Sequence, residues 1–298
     1  MARPHIEPFV DTTVSFKRMN LPGFATGMHY KTLSLDVDTG ACTLMARFES
    51  GYQRPPGLSY TESEMLVTAG KVRFGDTTYE AGQYFFIPAG VSMPALSSPR
   101  GFQALMFYNY AEPSFEESAE DHHRAIREGL VNVNAYEDLD WIATARRAPG
   151  VASGCLVKVL HQDPLTKANT FLYCMTPKFR QDNISYHDCT EEGYHIFGTS
   201  WMLQFGDLPT GGYFWRPPYI NHGAFASHKG CLALGRTGSE LFNYFHFNPW
   251  TAPEENRDRA IAVLHREKPE LYEWTRAVEG HNHPVDFEHP HYHEHDHD

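Results

Sequence analysis

Short apolar runs, broken every few residues by turn-forming residues, dominate the chain. The runs "KTLSLDV" (31–37), "CTLMARF" (42–48), "KVRFG" (71–75) and "QYFFIP" (83–88) are rich in β-branched and aromatic residues and are bounded by Gly, Pro, Asp and Asn. This punctuation predicts many short antiparallel strands, and hence an all-β sandwich or barrel. Two segments break the pattern. "SFEESAEDHHRAIREGL" (114–130) lacks strand alternation, and its early acids with later Arg124 and Arg127 suit a helix macrodipole. Residues 251–280 open with Thr251 as a helix cap, and Pro269 is placed to start a further helix with Leu271, Trp274 and Val278 on one face.

The strand pattern occurs twice. "ACTLMARF" (41–48) aligns with "ANTFLYCM" (168–175), and "ESEMLVTAG" (62–70) aligns with "TEEGYHIFG" (190–198). "GQYFFIPAGVSMPALSS" (82–98) aligns with "GYFWRPPYINHGAFAS" (212–227), setting Pro88 against Pro217 and Met93 against His222. The near-constant offset identifies an internal repeat, so two tandem β-barrels are expected. The boundaries that follow are a first barrel over 1–112, a helical linker over 113–148, a second barrel over 149–250, a helical segment over 251–280 and a His-rich tail over 281–298.

Composition narrows the partners. The 298 residues, 41% of them hydrophobic and 14% aromatic, suffice for two cores. A formal charge of −12 with no offsetting Lys/Arg cluster argues against nucleic acid and anionic lipid. No apolar run reaches the length that spans a bilayer, and "MARPHIEPFV" lacks the features of an export signal. The five cysteines are scattered without a CxxC pair, which fits neither a disulfide framework nor a zinc ribbon. A cytoplasmic protein acting on a small molecule is expected, with room for a homodimer.

Candidate chemistry concentrates in "SYHDCTEEGYHIFG" (185–198). The spacing His187-x3-Glu191-x6-Gly198 is similar to the latter part of the first cupin motif, and Gly211-x5-Pro217-x4-His222 is similar to the second. The first repeat keeps Gly82-x5-Pro88-x-Gly90 without the histidine. The chain therefore resembles a bicupin over roughly residues 25–110 and 150–250, and the "YHDCTEE" wording is closest to the branch that includes the cupin domain of ChrR-type anti-sigma factors. The resemblance implies two double-stranded β-helix barrels and one metal per chain, bound by His187, Glu191 and His222. The cupin position for a further histidine is Ser185. The equivalents of the three ligands in the first repeat are Ser59, Ser63 and Met93, with Glu62 and Glu64 nearby, so that barrel is expected to be a scaffold.

Strand parity points to the same place. Ser185 and His187 share one face, and Glu191, Gly193, His195 and Phe197 share one face of the following run. Two imidazoles and a carboxylate with open positions suit Fe(II), while Mn, Ni and Zn also accept such donors. His195 reads as an acid/base group, a substituted fourth ligand or a satisfied core histidine. Ser185, Phe197, Trp215 and Tyr219, with Tyr213 and Phe214, are the expected substrate-pocket residues. Glu192 falls on the opposite face and reads as structural, Cys189 as a turn or outward residue. His246 has no register to assign it. The tail holds seven of the eighteen histidines and reads either as a metal-binding tract or as a solvated extension.

Two functions remain open. The first is an enzyme, foremost a dioxygenase of an enol, diketone or phenolic compound, with isomerase, decarboxylase or lyase chemistry as alternatives on the same ligands. The second is a ligand sensor, for which no N-terminal sigma-binding zinc domain is evident in the sequence.

Overall fold

A computed structural model describes residues 3–144, 151–245 and 261–273 of the chain. His246, Thr251, Trp274, Val278 and the tail 281–298 lie outside these residues. The chain divides into two compact units: Met1–Pro4 with Asp11–Leu139, and His5–Val10 with Asp140–Asp298. Among the described residues no helix is long and apolar enough to cross a membrane.

The large sheet of the first unit runs in the order Val131–Asn134, Gln83–Ile87, Ser63–Phe74, Phe102–Tyr108, Cys42–Phe48, Met28–Leu35, Lys17–Arg18. That of the second runs Ile6–Val10, Gly212–Arg216, Glu191–Gly198, Cys231–Thr237, Asn169–Met175, Cys155–Gln162, Ile142–Ala143. The two orders match strand for strand. The edge position taken in the first unit by a strand from the connecting segment is taken in the second by the N-terminal strand. A further five-stranded sheet completes the second unit, in the order Gly206–Leu208, Ser200–Met202, His222–Ser227, Phe179–Tyr186, Tyr244–Phe245.

Alternation along the strands builds each core. In the first unit Leu44, Ala46 and Phe48, with Met65 and Val67 and with Phe102 and Ala104, point to one buried cluster, in which the Phe48 and Phe102 rings stack at 4.1 Å. Each large apolar side chain so buried contributes about 1.5–3 kcal/mol. The opposite face carries a repeated polar pair: Tyr84 donates to Glu64 at 2.6 Å, and Tyr213 donates to Glu192 at 2.7 Å. Glu192 also holds Arg236, as a structural residue on that face should. The repeat extends to the register, with Ser63 opposite Ile87 where Glu191 stands opposite Arg216, and Gly57 bridging Met93 where Ser185 pairs with His222.

The segment expected to be a helix over 114–130 forms only a short 3-10 turn, Arg127–Gly129. Glu116–Glu117 is instead extended and pairs with Gly57–Leu58. The physical reason is local competition by polar side chains. Ser118 donates to Glu120 O at 2.6 Å, and Asp121 accepts from the Ser92 amide at 2.8 Å while holding Arg127. No apolar stripe in the segment rewards a helix against these bonds. Within 251–280, residues 261–267 and 269–273 are helical, so Pro269 opens the second stretch. Leu264 and Leu271 from these stretches bury against Trp201 and Ala226.

Candidate metal centre

Three strands of the second unit bring the donors together. His187 follows the strand Phe179–Tyr186, Glu191 opens the strand Glu191–Gly198, and His222 opens the strand His222–Ser227. His187 Nε2 lies 3.8 Å from Glu191 Oε1 and His222 Nε2 lies 3.6 Å from Glu191 Oε2. The ligand atoms of the three residues all fall within 4.8 Å of one another, the one such group found among the described residues.

Backbone carbonyls set the tautomers. His187 Nδ1 is 2.8 Å from Phe242 O, and His222 Nδ1 is 2.8 Å from Ile220 O. A carbonyl only accepts, so each Nδ1 carries its proton and each Nε2 turns a lone pair to the cluster. Burial, helped by Arg216, pulls His222 down to about 3, which keeps it a neutral donor. Burial opposes the charge of Glu191, but its surroundings, with the Arg216 guanidinium donating to Oε2, outweigh it and hold the carboxyl well below its ordinary range. Two oriented imidazoles and one ionised carboxylate fit a divalent first-row ion.

Arg216 is the part of this site that the pattern of the sequence did not single out. It lies across the sheet from Glu191, donates to Glu191 Oε2 at 3.0 Å, and is 2% exposed. Its guanidinium sits 4.0 Å from the Phe214 ring and its Nη2 contacts Met202 Sδ at 3.4 Å, while Nε has no partner. A signal was present: Arg216 is the one charge in the apolar run "GYFWR", and parity with Phe214 sets it on the inner face. Gly193 makes room for this arrangement, because a Cβ there would meet the Phe214 ring at 2.6 Å.

The cluster opens on a cavity of about 370 Å³, whose wall includes Phe171, Tyr173, Phe179, Phe214 and Phe225. Ser185 and His195 also line it. His195 is 1% exposed, its Nε2 lies 2.8 Å from Ser200 Oγ, and its Nδ1 has no partner. Burial pulls its pKa down to about 4, so it is neutral near pH 7. It stands in the cavity wall, apart from the three-donor group.

The remaining pocket residues are placed elsewhere. Phe197 is 70% exposed because a register shift between His195 and Phe197 breaks the alternation that set both on the inner face. Trp215 is buried on the opposite face, across from Glu192, and Tyr213 accompanies it there. Tyr219 is 67% exposed at a left-handed backbone position, φ 69°. Cys189 is buried rather than outward, and burial pushes its thiol up to about 11.

Solved structures with this fold include a "putative dioxygenase" from Nostoc punctiforme PCC 73102, at a TM-score of 0.74 and 18% identity over 82% of this chain and 88% of that one. Oxalate decarboxylase from Bacillus subtilis aligns at a TM-score of 0.52 and 10% identity, over 80% of this chain and 77% of that one. At these identities the likeness is one of fold, the cupin double-stranded β-helix. No curated protein sequence matches the chain. From residue 18 to residue 243 the chain matches the family described as "Domain of unknown function (DUF4437)", and it belongs to that family.

Proposed function

We propose that the chain is a metal-dependent cupin enzyme that uses dioxygen on a small enol, diketone or phenolic compound. The observation that supports this reading is the convergence of His187, Glu191 and His222, with both Nε2 lone pairs turned to one point, on an aromatic-walled cavity. A divalent ion held there, Fe(II) foremost and Mn, Ni or Zn otherwise, would supply Lewis acidity and, as iron, access to oxygen chemistry.

The chain's own residues define the rest. Arg216 is a fixed positive charge beside Glu191 and favours a substrate bound as its enolate or phenolate. His195, neutral and lacking a partner at Nδ1, can hold a substrate proton there while Ser200 orients the ring. Phe171, Phe179 and Phe225 exclude water and strengthen these charges. Ser185 leaves the cupin histidine position free for substrate.

Oxygen uptake with a panel of enols, diketones and phenols, run on protein loaded with each metal, tests the reaction class. Uptake coupled to substrate loss supports the dioxygenase. Substrate loss without uptake would assign isomerase, decarboxylase or lyase chemistry to the same ligands. Saturable binding with the ligand recovered unchanged would instead favour a sensor of the ChrR-like branch.

A further inference from the structure

The first unit keeps a cavity at the position of the metal cluster, but with different charges. Ser63 and Ile87 replace the cross-strand pair Glu191 and Arg216, and Met93 stands where His222 does. In exchange this unit has gained a cation. Arg54 pairs with Leu96 in the register that the neutral Gln181 occupies opposite Phe225. The cavity is about 90 Å³, and Arg54, Tyr52, Tyr108 and Ser63 line it.

These groups are donors in need of an acceptor. Arg54 has one hydrogen bond, from Nη2 to Pro94 O at 3.3 Å, and rests 4.7 Å from the Phe115 ring; among the described residues no carboxylate is in ion-pair range. Tyr52 and Tyr108 are each 4% exposed, and neither hydroxyl has a hydrogen-bond partner among the described residues. Burial raises the pKa of both, against the pull of Arg54, so both keep their protons. The nearest carboxylate in sequence to this wall, Glu64, is engaged on the opposite face of its strand on both oxygens, by Tyr84 at 2.6 Å and by Asn109 at 3.2 Å. A partly desolvated guanidinium and two hydroxyls without a protein acceptor line one cavity, so a ligand that brings negative charge and lone pairs would pair all three.

We propose that the first unit binds a small carboxylate, the size of formate or acetate, between the Arg54 guanidinium and the hydroxyls of Tyr52 and Tyr108. The guanidinium fork matches a planar carboxylate. A volume of about 90 Å³, room for about three water-sized groups, suits an acid of this size. The site is independent of the metal reading, since none of its residues belongs to the His187, Glu191, His222 cluster.

The test is a titration of the full chain, stripped of metal by chelator, with sodium formate and sodium acetate at ionic strength held constant with chloride. The readouts are the tyrosine ultraviolet difference spectrum and the melting temperature. Saturable changes in both are expected for the wild type and for the double variant His187→Ala, His222→Ala. Arg54→Gln, which installs the residue of the second unit, should weaken binding about tenfold or more by removing the charge-assisted bonds. Tyr108→Phe, which preserves the ring, should weaken it several-fold and shrink the difference spectrum. The proposal is overturned by the absence of saturation in the wild type, by undiminished binding in Arg54→Gln or Tyr108→Phe, or by chloride alone producing the same changes.

Discussion

Arg216 donates to Glu191 Oε2 at 3.0 Å from the directly opposed position of the neighbouring strand. The carboxylate assigned to a metal thus already has a buried cation as partner. Removing the guanidinium leaves a buried charge unpaired, so Arg216→Gln should destabilise the metal-free chain by about 3 kcal/mol. A divalent ion would supply the missing charge. Urea denaturation with and without saturating metal should therefore show the loss shrinking when metal is present. An equal loss in both conditions would mean that Glu191 does not meet the ion.

His195 governs a pH dependence. Its folded pKa of about 4 lies below the ordinary histidine value, because burial disfavours the imidazolium. Between about pH 6.5 and pH 4 the unfolded chain holds a proton on this residue that the folded chain does not, so stability falls with falling pH, by about 1.4 kcal/mol per unit. His195→Gln should flatten that part of the profile relative to wild type. Parallel profiles of wild type and variant from pH 7 to pH 4.5 would contradict the placement.

The vacancy at Ser185 is testable by filling it. Ser185 pairs with His222 and lines the same cavity, so Ser185→His adds an imidazole to the wall beside the existing donors. Metal dissociation, followed by chelator competition, should slow about tenfold, and turnover should drop as an open position is lost. Faster dissociation would place the new ring outside the cluster.

Gly193 is predicted to be intolerant of even one methyl group. A Cβ there meets the Phe214 ring at 2.6 Å, and that ring supports Arg216 at 4.0 Å. Gly193→Ala should cost about 1–3 kcal/mol through overpacking and lower metal affinity as well. Phe197→Ser, at a position 70% exposed, should change stability by less than about 0.5 kcal/mol and leave metal binding intact. Differential scanning calorimetry and chelator competition on both variants separate the two positions.

The repeat is legible from a near-constant offset between the halves, and His187, Glu191 and His222 from their spacing and the cupin resemblance, with strand parity agreeing for His187 and Glu191. The same rule failed at Phe197, where the shifted register after His195 reverses a side chain, as such irregularities do. It could have separated Phe214 and Arg216 from Trp215, but their inward face becomes evident only once Glu191 is known to stand opposite Arg216. The segment 114–130 departs from the helix its charges suggest for another reason. Charge placement can favour a helix but cannot create one without an apolar stripe, and Ser118 and Asp121 satisfy the backbone in other ways. Tyr219 left the pocket through its left-handed backbone, a conformation that strand alternation does not describe.

The most direct test of the central claim is the metal content of the chain ended at Gly280, which removes the His-rich tail as a competing chelator. After loading with Fe(II), Mn(II), Ni(II) or Zn(II) and removal of the excess, the wild type should retain one ion per chain, and the His187→Ala, His222→Ala double variant should retain none. Full retention by the double variant, or two tightly held ions in the wild type, would contradict a single centre built by His187, Glu191 and His222.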